Sequence, residues 1–95
     1  MRILTALENV TVFEKDEGVF ECKFSKMKGN ISWTFEDKPI KSGDKYVIES
    51  TSETLRLRIR DCEKKDEGNY QCKINERKTN AQLFVKGKPN HNKIN

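Results

Sequence analysis

The sequence predicts an all-β domain in which two sheets pack face to face as a Greek-key sandwich. Apolar residues alternate with polar ones along most of the chain, and no segment shows the apolar spacing of a helix. The length of 95 residues suits one sandwich, which typically has about 100. A set of six residues forms the third observation: Cys22, Trp33, Asp66, Gly68, Tyr70 and Cys72, the last four at alternate positions.

Seven segments alternate apolar and polar residues, and each predicts a strand with one buried face. With a short strand near Pro39 and Ile40, this gives eight or nine strands, in antiparallel hairpins with Greek-key crossings. Together the inward positions supply both halves of one core. The residues expected to face it are Val10 and Val12; Phe20, Cys22 and Phe24; Ile31, Trp33 and Phe35; Tyr46 and Ile48; Leu55, Leu57 and Ile59; Tyr70, Cys72 and Ile74; and Ala81, Leu83 and Val85.

The segments between these strands carry turn residues. Asp37, Lys38 and Pro39 predict a turn, while the connection at residues 75–80 has no glycine and predicts no specific turn type. Residues 88–95 show no periodicity. We therefore expect a single domain over residues 1–87, followed by a flexible tail or linker over residues 88–95.

Composition argues against nucleic-acid and membrane partners. Apolar residues make up 34% of the chain and charged residues 36%, which suits a thin core under a charged surface. The net charge of +4 is mild and the two signs are interspersed, as at residues 14–17 and 63–67. Nucleic-acid binding usually shows a one-sided basic patch, and no apolar stretch approaches the ~18 residues of a membrane span. We expect neither partner.

No residue pattern predicts catalysis, a metal site or a cofactor. A Ser–His or Cys–His pair needs a histidine beside its nucleophile, and His91 in the polar tail is the chain's one histidine. Zinc sites use close cysteine or histidine pairs, whereas Cys62 and Cys72 lie ten positions apart (72 − 62) and Cys22 is distant. No glycine-rich phosphate loop is present. We expect no enzyme activity, no bound metal and no cofactor.

Several segments resemble an intermediate-set (I-set) immunoglobulin domain over about residues 3 to 87. The charge-rich composition of residues 19–22 and 39–46 is also similar to domains of the giant sarcomeric proteins, namely titin, obscurin, myomesin and myosin-binding protein C. The segments that carry the resemblance are 8–14, 19–22, 33–40, 55–59, 66–72 and 81–85.

The resemblance implies a structural role for each signature residue. Cys22 and Cys72 face each other across the sheets, with the indole of Trp33 packed on them. The Tyr70 hydroxyl bonds to backbone a few residues upstream, and the Asp66 carboxylate bonds to turn amides. Gly68 takes a backbone conformation that residues with a Cβ adopt at a cost.

Cysteine usage leaves the compartment open. In an oxidising compartment Cys22 and Cys72 would form a disulfide, and in the cytosol they would stay a reduced pair in the core. Cys62 is the third cysteine and has no partner left for a disulfide. We expect its side chain to fill space in the core, and the alternative is a reactive or regulatory thiol. Two sequons, at Asn9 and Asn30, weakly favour an extracellular domain. The N-terminus is too short and too charged for a secretory signal, which favours an intracellular protein or a domain excised from a longer chain.

Two surface features are candidate partner contacts. Phe84 points outward if Leu83 and Val85 point inward. The ladder of Arg56, Arg58 and Arg60 would offer a positive surface to an acidic partner, unless acids on neighbouring strands such as Glu21 neutralise it.

The resemblance implies that the early strand near Val10 and Val12 pairs in parallel with the last strand, so that pulling the chain ends shears several hydrogen bonds at once. The function expected is a non-enzymatic structural and protein-binding module of a large cytoplasmic scaffold. It would act as a load-bearing spacer and docking surface in the sarcomere and cytoskeleton. Its expected partners are neighbouring immunoglobulin or fibronectin-type domains and cytoskeletal proteins. The alternatives are an extracellular domain of an adhesion molecule or receptor, and a regulatory domain that flanks a kinase.

Overall fold

The computed structural model describes residues 3–25 and 29–87, so the predicted tail over residues 88–95 lies outside the described residues. Strands follow the alternating segments, because a period of two places every second side chain on the same face. The described part contains nine strands and one short 3₁₀ turn at Lys64–Asp66. The strands are β1 Ile3–Thr5, β2 Val10–Phe13, β3 Gly18–Phe24, β4 Ile31–Phe35, β5 Lys38–Pro39, β6 Tyr46–Ser50, β7 Thr54–Ile59, β8 Gly68–Ile74 and β9 Arg77–Lys86.

The strands form two packed sheets, and the prediction of an all-β Greek-key sandwich is confirmed. One sheet has the order β1-β3-β7-β6 and the other the order β2-β9-β8-β4-β5. All neighbouring strands are antiparallel except β2 and β9. These two run parallel, with Val10 opposite Leu83 and Val12 opposite Val85, as expected.

The core lies between the sheets and is built from the inward positions of the alternating strands. Along β3, Phe20, Cys22 and Phe24 are buried while the residues between them are exposed. The ring of Tyr70 lies between two phenylalanines, with centroid distances of 5.2 Å to Phe20 and 4.6 Å to Phe35. The contact with Phe20 joins the two sheets, whereas Phe35 stacks on Tyr70 within the second sheet.

Three local expectations were wrong. The turn after β4 is formed by Glu36 and Asp37, both with positive φ (51° and 68°), which leaves residues 38–39 free to pair with β4. Ile31 is 37% exposed, because β5 covers β4 only at its far end. Strand β9 begins at Arg77, well before residue 81, since Asn75 takes the left-handed conformation (φ 54°) that a two-residue hairpin turn requires.

Candidate functional site

Asp66 and Tyr70 close the turn that leads into β8. The Tyr70 hydroxyl donates to the Asp66 carbonyl oxygen at 2.7 Å, as the sequence predicts. The buried Asp66 carboxylate accepts the Glu63 backbone N–H at 2.8 Å and the Lys45 ammonium at 2.7 Å. Burial raises the pKa of Tyr70 above its ordinary value, so the phenol remains a hydrogen-bond donor at neutral pH. This cluster is structural, since each polar group in it is directed at backbone or at its partner within the turn.

Gly68 begins β8 in a conformation that side chains rarely adopt. Its φ is +148°, and a Cβ there would lie 2.6 Å from Glu36 Oε2 and 2.7 Å from Phe35 Cε1. The Glu36 carboxylate approaches so closely because it accepts the Asn69 backbone N–H at 2.6 Å. The turn after β4 is therefore fastened to the start of β8 at this point.

The two signature cysteines lie on facing sheets, and all three cysteines are buried thiols with no disulfide bond. Cys22 and Cys72 share a hydrogen bond, which together with burial raises the pKa of Cys72. Trp33 is 2% exposed and pairs with Cys72 across β4 and β8. Cys62 lies apart, where its thiol donates to the Ile59 carbonyl oxygen at 3.4 Å and burial raises its pKa. The hydrogen bond shared with Cys72 lowers the pKa of Cys22, and all three buried side chains pack as small apolar groups in the core.

The parallel pair of β2 and β9 is extended by hydrogen bonds beyond its ends. Glu14 N–H donates to the Lys86 carbonyl oxygen at 2.8 Å. Since alternate residues face the partner strand in a parallel ladder, Val12 and Val10 direct their N–H groups to β9 as well. At the other end the Asn9 side-chain oxygen accepts the Gln82 N–H at 2.8 Å. The result is a continuous ladder near both ends of the described chain.

Glu67 fastens the opposite side of β9. Its carboxylate accepts the Val85 backbone N–H at 2.7 Å, and the Lys64 ammonium lies 3.5 Å away. The Val85 N–H is the main reason why the pKa of Glu67 is lowered from its ordinary value. At Val85, beyond the last residue pair of β8 and β9, strand β9 therefore contacts β2 on one side and the Glu67 side chain on the other.

The first two arginines of the predicted ladder are ion-paired within their own sheet. Arg56 lies 2.6 Å from Glu21 and 3.5 Å from Glu49. Arg58 lies 3.9 Å from both Glu17 and Glu49. These pairs neutralise the outer face of the first sheet.

The other two predicted contact residues occupy different surroundings. Arg60 follows the end of β7 and is exposed, and among the ion pairs of residues 3–25 and 29–87 it takes no part. Phe84 is 41% exposed on the outer face of β9, opposite Thr11. Phe13 is equally exposed on the same face, a residue that the sequence reasoning missed although its odd position in β2 indicates outward orientation.

Within the described residues, no cluster of three His, Cys, Asp or Glu side chains is arranged to hold a metal ion. His91 lies outside that part of the chain. No helix in the described segments is long and apolar enough to span a membrane.

The family follows from a comparison with known domain families. The model of the immunoglobulin I-set domain matches residues 1–86. The chain belongs to the I-set family.

Solved structures of titin domains share this I-set fold. Titin domain I81 is 28% identical, with a TM-score of 0.80 over 88% of this chain and 94% of that one. A structure named as the IG27 protein domain superimposes with a TM-score of 0.87 at 21% identity, covering 92% of this chain and 98% of that one. The titin tandem A164–A165 is 25% identical, with a TM-score of 0.80. The alignment covers 87% of this chain and 45% of the tandem. This I-set domain is therefore similar to modules that occur side by side in titin.

Proposed function

We propose that this I-set domain is a non-enzymatic structural module of a large cytoplasmic scaffold in the sarcomere, where it acts as a spacer that resists force and as a docking surface. The observation that carries the first role is the parallel pairing of β2 with β9. Similarity to titin domain I81 and to the titin tandem A164–A165 supports the sarcomeric setting and neighbouring immunoglobulin domains as partners. In this function residues 1–87 form the folded module and residues 88–95 a tail or linker.

The parallel pairing determines how a pulling force acts. Because β2 and β9 run in the same direction, the chain enters β2 at one end of the sandwich and leaves β9 at the other. A force between these points runs along the strands and perpendicular to their hydrogen bonds. The bonds made by Val10, Val12 and Glu14 are then strained together, so the domain resists extension until several break at once.

A proline scan of β2 tests this role. Val12→Pro removes an N–H directed at β9 and leaves the Phe84 carbonyl oxygen without its partner, at an expected cost of about 1–3 kcal/mol in unfolding free energy. Its peak unfolding force in single-molecule stretching should fall well below that of the unsubstituted domain. Thr11→Pro is the matched control, since alternate residues of the ladder face away from β9.

A second control lies in a hairpin that the force does not load directly. Lys38→Pro alters the short strand β5, which pairs only with β4. Equal drops in unfolding force for Val12→Pro, Thr11→Pro and Lys38→Pro would contradict the force-resisting role.

A further inference from the structure

The two outer sheet faces differ in charge, although acidic and basic residues are interspersed along the sequence. On the first sheet, Arg56 and Arg58 are balanced by glutamates of neighbouring strands. On the second sheet, the inward positions of β8 and β9 are buried, so the alternate positions point outward. Over most of their length the outward residues are amides and lysines, namely Asn69, Gln71, Lys73, Lys78, Asn80 and Gln82, and Phe84 and Lys86 follow at the end of β9. We call this surface the amide face.

The outward strand positions of the second sheet carry no carboxylate, in a chain with 15 acidic residues. Near the start of β8, Glu36 and Glu67 lie outside the strands and accept backbone N–H groups. At the opposite end the turn between β8 and β9 adds one charge of each sign, Glu76 and Arg77. An anionic group that approaches the centre of the amide face therefore meets no carboxylate on the outward strand positions.

Two lysines on this face are directly opposed. Lys73 pairs with Lys78 across β8 and β9, an arrangement of like charges that destabilises a sheet. Among the ion pairs of the described residues, neither lysine has an acidic partner. The pair is an uncompensated positive site, and a carboxylate placed between the two ammonium groups would relieve their repulsion.

Two aromatic side chains extend the amide face at its other end. Phe84 and Phe13 are each 41% exposed, and they lie on the same side of the β2–β9 pair, two positions out of register. Six residues of β9 separate Lys78 from Phe84 (84 − 78), which corresponds to about 20 Å along a strand. The outward residues of β9 between them are the amides Asn80 and Gln82. Aromatic residues are enriched at protein interfaces relative to the rest of the protein surface.

We propose that the amide face binds an acidic protein, with carboxylates at Lys73 and Lys78 and apolar side chains at Phe13 and Phe84. This inference rests on the docking part of the proposed function and is independent of the force-resisting part. A protein fits better than a nucleic acid, because phosphates would need a continuous row of cations, whereas neutral amides occupy the centre. The amide of Gln71 offers a donor and an acceptor for peptide groups, while the Asn80 Nδ2 donates to Asn69 Oδ1 at 2.9 Å and leaves its own oxygen as an acceptor.

Selection from a random phage-displayed library of 12-residue peptides on the full 95-residue chain tests the proposal. We expect the selected peptides to be rich in Asp, Glu and large apolar residues. Their addition should shift the backbone amide NMR signals of β8 and β9. Their association should slow as the salt concentration rises, because the lysines attract them electrostatically.

Matched variants localise the binding. Lys73→Glu with Lys78→Glu should weaken peptide affinity by about tenfold or more. Lys23→Glu with Arg60→Glu makes the same change in net charge at exposed positions on or beside the first sheet, and should leave affinity within about twofold. Phe84→Ser should weaken binding, whereas Leu4→Ser, at a residue 50% exposed on β1, should not.

Several results would overturn the proposal. These are a failure to select any peptide, peptides that shift signals of β3 and β7 instead, and equal affinities for the two lysine double variants. A 12-nucleotide oligothymidylate and phosphatidylserine vesicles serve as further probes. If either binds more tightly than the peptides and loses affinity in the Lys73→Glu, Lys78→Glu variant, the face recognises phosphate. An unchanged unfolding force in Val12→Pro would remove the spacer role alone and leave this assignment standing.

Discussion

At the scale of single residues, Gly68 shows how closely the chain approaches itself at the start of β8. Gly68→Ala would combine a φ of +148° with a Cβ only 2.6 Å from a carboxylate oxygen of Glu36. We expect a loss of about 1–3 kcal/mol in unfolding free energy, measured by urea denaturation. Part of that loss should come from the displaced hydrogen bond to Asn69.

Gly43 is the matched control for this substitution. A Cβ at Gly43 would meet nothing within 4 Å. Gly43→Ala should therefore be neutral or should stabilise the domain by up to about 1 kcal/mol, because alanine has less conformational freedom in the unfolded chain. A Gly68→Ala variant as stable as Gly43→Ala would contradict the strain inferred at the start of β8.

The sequence indicates some of these residues and conceals others. Asp66 and Tyr70 are recognisable because their spacing is local, so the turn into β8 could be foreseen. Lys45 pairs with Asp66 from 21 positions away, and Glu36 reaches Asn69 from 33 positions away. No local pattern marks such partners, because the fold alone brings them together.

At the scale of elements, the stabilisation that the Glu67 carboxylate gives to β9 should depend on pH. The pKa of Glu67 is lowered in the folded state, mainly by the Val85 N–H. The carboxylate therefore contributes its stabilisation in full above its ordinary pKa of 4.5, and this is lost as the pH falls through the folded-state value. We expect the thermal midpoint of Glu67→Gln to change less than that of the unsubstituted chain between about pH 5 and pH 3.

Glu53→Gln provides the comparison, since Glu53 is exposed in the turn between β6 and β7, on the other sheet. It removes one carboxylate without altering the contacts of β9. The same reduction in pH dependence for both variants would show that general charge, and not the bond to Val85, controls the acid response.

Strand identity was predictable because each strand repeats with a period of two, as in the alternation of β3 and β7. The residues at which strands begin and end were less predictable. Thr79 is buried in β9 although it is polar, and its hydroxyl accepts the Leu7 N–H at 3.0 Å. From the sequence alone, a polar residue such as Thr79 is expected in a loop, because its backbone partner is far away along the chain. For this reason residues 75–80 were expected to form a connection before the last strand. The amide face was readable from outward positions, but only once β4, β8 and β9 were known to be neighbours.

At the scale of the whole molecule, the facing thiols of Cys22 and Cys72 set how far the fold depends on redox conditions. In a Cys62→Ser variant, Cys22 and Cys72 are the two remaining cysteines, and oxidation with diamide should join them in a disulfide bond. Closing a loop of 50 residues (72 − 22) should add about 4 kcal/mol to the unfolding free energy in the chain-entropy model. Urea denaturation before and after oxidation measures the gain, and a free-thiol assay verifies that the bond has formed. Identical midpoints for the oxidised and reduced protein would contradict the expected gain.

Three of the four outermost strands of the two sheets are short, while the fourth, β6, has five residues. Strands β1, β2 and β5 have three, four and two residues, and β5 ends in Pro39, which has no N–H to donate. Little unpaired backbone is therefore available at these edges for a foreign strand. Wherever such a domain stands beside others of its kind, short edges lower the chance that one unit captures a strand of another, and so limit aggregation.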